Sequence, residues 1–170
     1  MQDTEQALAL IARGTDEITK PEELQERLQL GRPLRIKVGF DPSAPDLHLG
    51  HTVVINKMRL FQDLGHTVVL IVGDYTARIG DPSGRSQERP VLADDLLDEN
   101  ARQFAAQAFR VLDETRTEVR YNGEWLGKLS YAEVVRLTRT MTVARLLERD
   151  DFAKRFAAHE PISLSELLYP

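Results

Sequence analysis

Two histidines, His48 and His51, stand three residues apart where an apolar periodic segment begins, with Gly50 between them. That spacing predicts that both imidazoles share one face of a helix. A helix start offers unpaired backbone N–H groups and the positive end of the macrodipole, a natural seat for phosphate. A glycine there lets a flat ring or a phosphate lie against the backbone. Two other readings stay open on spacing alone. The histidines can be cap or surface residues. They can also be an H-x-x-H metal pair, although the sequence offers no third ligand at suitable spacing. A second cluster follows at Gly80-Asp81-Pro82-Ser83-Gly84, with Arg85 and Arg89 beyond it. Alone it is a tight turn with two solvated charges. Combined with the first cluster it supplies carboxylates and planar guanidinium groups suited to phosphate oxygens.

The elements that must position these residues are legible from periodicity. Residues 6–13 read as a helix stopped by Gly14, and a second helix starts at Pro21 and ends at Gly31. Residues 34–40 alternate apolar and basic residues, as a strand does. The two-proline loop 41–46 leads into a helix over 49–64, with Gly65 as its left-handed cap. Thr67 to Val72 is a β-branched run of the kind buried on both faces of a sheet. Strand, helix, strand is a βαβ unit, expected to cross over right-handed. Ligands of such sheets bind at the carboxyl ends of the strands, which are the loops after Phe40 and after Val72. The second loop, 73–90, is long enough to suggest function. A helix from Asp94 or Asp95 to about Val111 and a third strand, 117–121, closed by Asn122-Gly123, complete this part. The remainder reads as short helices. Ser130-x-x-Glu133 and Ser163-x-x-Glu166 have the form of capping boxes.

Composition bounds the partners. The chain has 170 residues, 42% of them hydrophobic, which is enough for a core of one domain. Its formal net charge of −5 lacks the footprint of a general nucleic-acid binder, so any RNA contact must be local or lie elsewhere. There are no cysteines, which excludes disulfides and thiolate metal sites and fits a reducing compartment. The first residues are acidic rather than basic, and the longest strongly apolar run, Val68 to Val72, is too short to span a bilayer. These features predict a cytoplasmic, membrane-free protein. The helix opened by Pro161 to Glu166 has only Leu167-Leu168-Tyr169 before the last residue. So short a helix is not stable alone, and the expectation is a piece of a longer protein.

With these residues assembled, a family resemblance emerges. The segment from Phe40-Asp41-Pro42-Ser43 to His48-Leu49-Gly50-His51 resembles the class I aminoacyl-tRNA synthetase signature, whose core reads HIGH. The Gly-Phe-Asp-Pro lead-in and Gly80-Asp81-Pro82-Ser83-Gly84 are similar to the tyrosyl members. The tryptophanyl members have a different lead-in and lack the latter element. The segment from Pro161 to Pro170 is also similar to the tyrosyl members, and the resemblance covers nearly all of 31–170. It implies an α/β, Rossmann-like nucleotide-binding fold with a parallel sheet. Residues 1–33 would form an N-terminal helical segment, and 34–170 the first half of the catalytic domain. Part of the insertion that connects the two halves would fall at about 115–160.

The resemblance also implies roles. The family joins tyrosine to AMP and then to the tRNA terminus, with Mg²⁺ travelling with ATP rather than caged by protein. His48 and Ser43 would meet the leaving phosphates, and Gly50 and His51 the adenosine. Pro42, Leu47 and Leu49 fall within the same ATP-binding stretch. Gly39 and Asp41 would lie where tyrosine and nucleotide join. Asp81, with Tyr169 and Thr76 beside it, would accept the α-ammonium of tyrosine. Arg85 and Arg89 would act on pyrophosphate in the transition state. Lys37 stands where many tyrosyl members carry a tyrosine aimed at the substrate phenol; one bacterial subgroup has Lys there, followed by Thr-Val-Val after the second histidine, as in Thr52-Val53-Val54. The apolar stripe Val134, Val135, Leu137, Met141, Val143, Leu146 and Leu147 would form a homodimer interface, unless it is ordinary core. The sequence holds no KMSKS-like loop and no anticodon-binding region, so 1–170 alone is expected to be inactive.

Two rival readings remain at this stage. A small nucleotidyltransferase also uses H-x-G-H, but leaves Gly80 to Gly84 unexplained. A non-catalytic paralogue would keep the fold as a binding module.

Overall fold

In a computed structural model the described residues are 3–42, 44, 46–79 and 94–169. Ser43, Asp81, Arg85 and Arg89, with the whole turn Gly80 to Gly84, lie outside them. The chain divides into two compact units. The first comprises 1–40, 44–71 and 102–120; the second comprises 41–43, 72–101 and 121–170.

The first unit holds helices α1 (Thr4–Ala12) and α2 (Pro21–Gln29), strand β1 (Arg35–Phe40), helix α3 (Leu49–Asp63) and most of strand β2 (Thr67–Val72). It also holds the second half of helix α5 (Asp94–Ala108) and most of strand β3 (Thr117–Tyr121). The strands form one sheet in the order β1-β2-β3. The N–H at the start of β2, on Thr67, bonds to the carbonyl of Leu34 just before β1. The N–H of Asn122, just past β3, bonds to the carbonyl of Val72 at the end of β2. Strands that start together and end together are parallel, as expected. The central place of β2 explains its unbroken apolar run: Val68, Val69, Leu70 and Val72 are all buried. β1 alternates instead, with Ile36, Val38 and Phe40 packed on the core and Arg35, Lys37 and Gly39 exposed.

Ile11, Ile55, Met58, Phe61, Val68, Leu70, Ala108 and Leu112 make the core of this unit. Each such side chain contributes roughly 1.5–3 kcal/mol on full burial. Helix α3 is fixed by polar contacts at its middle and at its C-terminal end. Lys57 donates to the carbonyls of Ile11 and Arg13, both at 2.8 Å, and so caps α1. At its own end the N–H of His66 reaches the carbonyl of Phe61, while Gly65 (φ +92°) takes the left-handed position. This is the predicted glycine cap, in its Schellman form. Gln62 was legible only as a polar helix residue, yet it is buried. Its amide Nε2 donates to the carbonyls of Asp113 and Arg116 and to Thr117 Oγ1, and its Oε1 accepts the Asp113 N–H at 2.9 Å. It thereby ties α3 to the 3-10 turn Glu114–Arg116 that feeds β3.

The second unit contains α4 (Thr76–Ile79), the first half of α5, α6 (Gly123–Leu126), α7 (Tyr131–Thr138), α8 (Val143–Leu146), α9 (Asp150–Ala157) and α10 (Leu164–Leu168). The single turn α4 departs from the sequence expectation, which left 73–90 without secondary structure. Four residues are too few for an apolar period to register. Both predicted capping boxes form, Ser130 with Glu133 and Ser163 with Glu166. Leu97, Ala101 and Phe152 are buried here. The apolar stripe is not ordinary core throughout, because Val135, Leu137, Met141 and Val143 are exposed, Val143 by 59%. Among the described residues no helix is long and apolar enough to cross a membrane.

Replacing Gln62 by Ala removes four hydrogen bonds, including the one that satisfies the Asp113 N–H. Unfolding free energy in urea is expected to fall by roughly 3 kcal/mol. A loss under about 0.5 kcal/mol, the size of a surface change, would show that Gln62 is not a structural tie.

Candidate functional site

Two constellations are described, one in each unit. In the first unit, His48 is the N-cap of α3, and its Nδ1 accepts the Gly50 N–H at 3.1 Å. His51 returns the favour: its Nδ1 accepts the His48 N–H at 3.2 Å. The pair forms a reciprocal cap in which imidazoles stand in for the usual hydroxyl and carboxylate. Their rings stack with centroids 3.9 Å apart. His51 also meets Phe40 and Phe104 edge-on, each at 5.5 Å. Burial, and to a lesser degree His48, pushes the His51 pKa below its ordinary value of 6.5. Because each Nδ1 is an acceptor, each ring's proton resides on Nε2, which is therefore the donor. The cap reading of the histidines is thus realised, and it leaves two neutral donors at a helix start.

Gly50 also makes room for the capping ring. A Cβ at this position would come within 2.9 Å of His48 Cε1 and 3.0 Å of its Nδ1. The space belongs first to the capping imidazole. The approach to the helix is held by Gln107, whose Oε1 accepts the Leu47 N–H at 2.8 Å and whose Nε2 donates to Asp46 at 3.1 Å. Leu49 is 85% exposed, and Lys37 and Gly39 lie on the exposed face of β1. No group of three or more metal-ligating side chains occurs among the described residues.

In the second unit, Asp41, Thr76 and Tyr169 come together, whereas the family resemblance placed Thr76 and Tyr169 beside Asp81, which lies outside the described residues. Asp41 Oδ1 accepts the Thr76 hydroxyl at 2.7 Å, and Oδ2 accepts the Tyr169 hydroxyl at 2.5 Å. Both lie in the short range of hydroxyl-to-carboxyl bonds. Thr76 Oγ1 also accepts from Asn122 Nδ2 at 2.8 Å. The orientation of the Asn122 amide follows from its other bond, because its Oδ1 takes the Tyr75 N–H at 2.9 Å. An amide nitrogen only donates, so Thr76 must spend its one proton on Asp41. Pro42 is fully buried, and its carbonyl accepts from Asn100 Nδ2 at 3.3 Å.

Asn122, Gly73 and Asp74 were missed as participants. A Cβ on Gly73 would fall 1.9 Å from Asp41 Oδ1 and 2.5 Å from Thr76 Oγ1, so only glycine fits. Asp74 Oδ1 accepts the Gly123 N–H at 2.9 Å, and a Cβ on Gly123 would collide with the same carboxylate. The signal was available. Asp41, Gly73 and Asn122 each directly follow a strand, so the carboxyl-end rule extends to all three strands. Asn122-Gly123 was read as a turn because that pair is so common in turns.

A family model described as tRNA synthetases class I (W and Y) matches residues 29–170. The chain is 57% identical over its whole length to a tyrosine--tRNA ligase of Xanthomonas axonopodis pv. citri (strain 306), of which it covers 42%. It is also 57% identical, over 96% of its length, to a tyrosine--tRNA ligase of Xylella fastidiosa (strain 9a5c), of which it covers 39%. The chain therefore spans less than half the length of these relatives. Among solved structures it resembles a C-terminally truncated mitochondrial tyrosyl-tRNA synthetase of Aspergillus nidulans, with TM-score 0.80 and 22% identity. That match covers 100% of this chain and 51% of the other. It also resembles a tyrosyl-tRNA synthetase of Archaeoglobus fulgidus complexed with L-tyrosine, with TM-score 0.79 and 24% identity, over 99% of this chain and 50% of the other. Those two likenesses establish the shared α/β fold, and the match over 29–170 assigns the family: this chain belongs to the class I tRNA synthetases of the W and Y type.

Proposed function

We propose that the chain is the ATP- and amino-acid-binding part of a tyrosine-tRNA ligase. The reaction activates L-tyrosine with ATP to tyrosyl-adenylate and then transfers the tyrosyl group to tRNA(Tyr). The observation that carries this reading is the network on Asp41, a carboxylate given two hydroxyl donors on a backbone where only Gly73 fits. Such a carboxylate is built to meet an ammonium group. The identity to tyrosine--tRNA ligases supports tyrosine over tryptophan.

In the activation step the tyrosine carboxylate attacks the α-phosphorus of ATP, and pyrophosphate leaves. The protein supplies no nucleophile; it orients the reactants and stabilises charge on phosphate oxygens. His48 and His51 suit that task as neutral Nε2–H donors at the start of α3, where the dipole adds to their effect. Gly39, Pro42, Leu47, Leu49 and Gly50 are assigned to the nucleotide and Lys37 to the tyrosine side. Thr76, Asp81 and Tyr169 are assigned to the ammonium end of tyrosine, with Asp41 where tyrosine and nucleotide join. Ser43, Arg85 and Arg89 are assigned to the departing pyrophosphate. Mg²⁺ enters bound to ATP, as part of that substrate. Residues 34–170 are assigned to the first half of the catalytic domain with part of the connecting insertion, and 1–33 to an N-terminal helical segment. The cytoplasm is the assigned compartment. The exposed residues Val135, Leu137, Met141 and Val143 support a homodimer through the α7–α8 region.

Three outcomes test this reading. Full-length protein is expected to exchange pyrophosphate into ATP when given tyrosine, and residues 1–170 alone are not. Exchange driven by tryptophan instead, or robust turnover by 1–170, would overturn it. Gly73→Ala in the full-length protein should raise the KM for tyrosine at least about tenfold, about 1.4 kcal/mol, with an unaltered circular dichroism spectrum. An unchanged KM would remove Asp41 from the amino-acid site. Sedimentation of the full-length protein at micromolar concentration should give a dimer, and monomer alone would refute the interface.

A further inference from the structure

Tyr169 reaches Asp41 from the last turn of a helix that cannot hold its own direction. Helix α10 has five residues, well short of the length at which an isolated helix is stable. Its orientation is set by Glu166, three residues before Tyr169 and therefore on the same face. Glu166 is buried, at 7% exposure, and Ser163 and Arg155 hold its carboxylate. Oε1 accepts the Ser163 N–H at 2.9 Å, closing the capping box. Arg155, on α9, donates Nη1 to Oε2 and Nη2 to Oε1, a two-pronged ion pair. Arg155 Nη2 also donates to the carbonyl of Pro161, in the segment that leads into α10. One guanidinium thus grips both the entry to α10 and its buried carboxylate.

The pair looks costly unless geometry is the purpose. Burying two charges rarely adds net stability over apolar residues of similar volume, and its best-attested use is to specify one arrangement. The arrangement here brings a phenol hydroxyl to a carboxylate 128 positions away in sequence. Arg155 beside Glu166 also holds that carboxyl below the usual glutamate range, so the pair stays charged at neutral pH.

We propose that the Arg155–Glu166 ion pair is a positioning device that sets the Tyr169 hydroxyl on Asp41, so that Arg155 governs amino-acid binding without touching the substrate. The consequence for binding rests on the tyrosine-tRNA ligase reading; the positioning itself does not. A structural prop alone would affect stability, tyrosine and ATP without preference. A positioning device acts through Tyr169 and affects tyrosine selectively.

The test uses the full-length protein with Arg155→Met, Arg155→Lys, Glu166→Gln, Tyr169→Phe and the paired variants. Arg155→Met should raise the KM for tyrosine at least about tenfold and leave the KM for ATP within about twofold, with Arg155→Lys partly restoring it. In the Tyr169→Phe background the same change should add less than about threefold, the non-additivity of residues acting through one contact. Effects that multiply, or a rise in both KM values together, would overturn the proposal. If Arg155→Met does not fold, Glu166→Gln keeps the side-chain volume and must show the same selective, non-additive pattern. A second readout separates this proposal from the enzyme assignment. With tyrosine labelled at Cζ with ¹³C, the Tyr169 resonance (identified by its loss in Tyr169→Phe) should move in Arg155→Met or Glu166→Gln. A stationary resonance overturns the positioning role whatever the activity. A moved resonance in a protein inert toward tyrosine sustains the positioning role and overturns the enzyme assignment.

Discussion

A half-buried carboxylate needs hydrogen-bond donors in place of the water it has lost. Asp41 receives them from two side chains, Thr76 on one oxygen and Tyr169 on the other, and much of the second unit exists to deliver them. Thr76 is kept in place by Asn122, and Asn122 by the backbone of Tyr75. Gly73 leaves the room in which the carboxylate and the hydroxyl meet. Tyr169 is delivered by α10, whose direction depends on Glu166 and Arg155. The chain of dependence runs from sheet ends to turns to a short helix, and each link is a polar group with a stated partner.

The first unit solves a different problem with ordinary means. Its helix start must be capped, because four N–H groups have no partner within the helix. Serine or aspartate would serve that end with greater ease. Two histidines do so here, and the cost is a glycine that must stay small beside the His48 ring. What the histidines add is a pair of Nε2–H donors where the dipole is already positive. Phe40 and Phe104 fix the His51 ring between edge-on contacts, and the resulting burial favours its neutral form. The capping task is thus met by rings that also present donors at the helix start.

The two units differ in how their stability is secured. The first has a continuous apolar cluster beneath a parallel sheet, with Gln62 as its buried polar tie. The second has few large buried side chains among its described residues and relies on caps, ion pairs and turns. Segments of the latter kind open at lower free energy than a packed core. Tyr169, at the C-cap of the five-residue α10, belongs to such a segment.

What the sequence determined by itself was whatever repeats with a short period or fits in one turn. The alternation of Arg35 to Phe40, the apolar run of Thr67 to Val72, the glycine cap at Gly65 and both serine–glutamate boxes were all legible, because each depends on neighbours within a few residues. The meeting of Asp41 with Thr76 and Tyr169 is a result of the tertiary structure, since family likeness placed the latter two beside Asp81. Tertiary structure alone decided the rest. Gln62 carries no mark that it will be buried; its four bonds reach residues more than fifty positions away. Gly73 looks like any loop glycine until Asp41 arrives beside it, and Asn122 looks like a turn until Thr76 does. Arg155 and Glu166 look like two solvated charges eleven residues apart. The physical reason is shared by the polar cases, and Gly73 follows from one of them: a polar side chain declares its partner only when folding removes the water that would otherwise satisfy it.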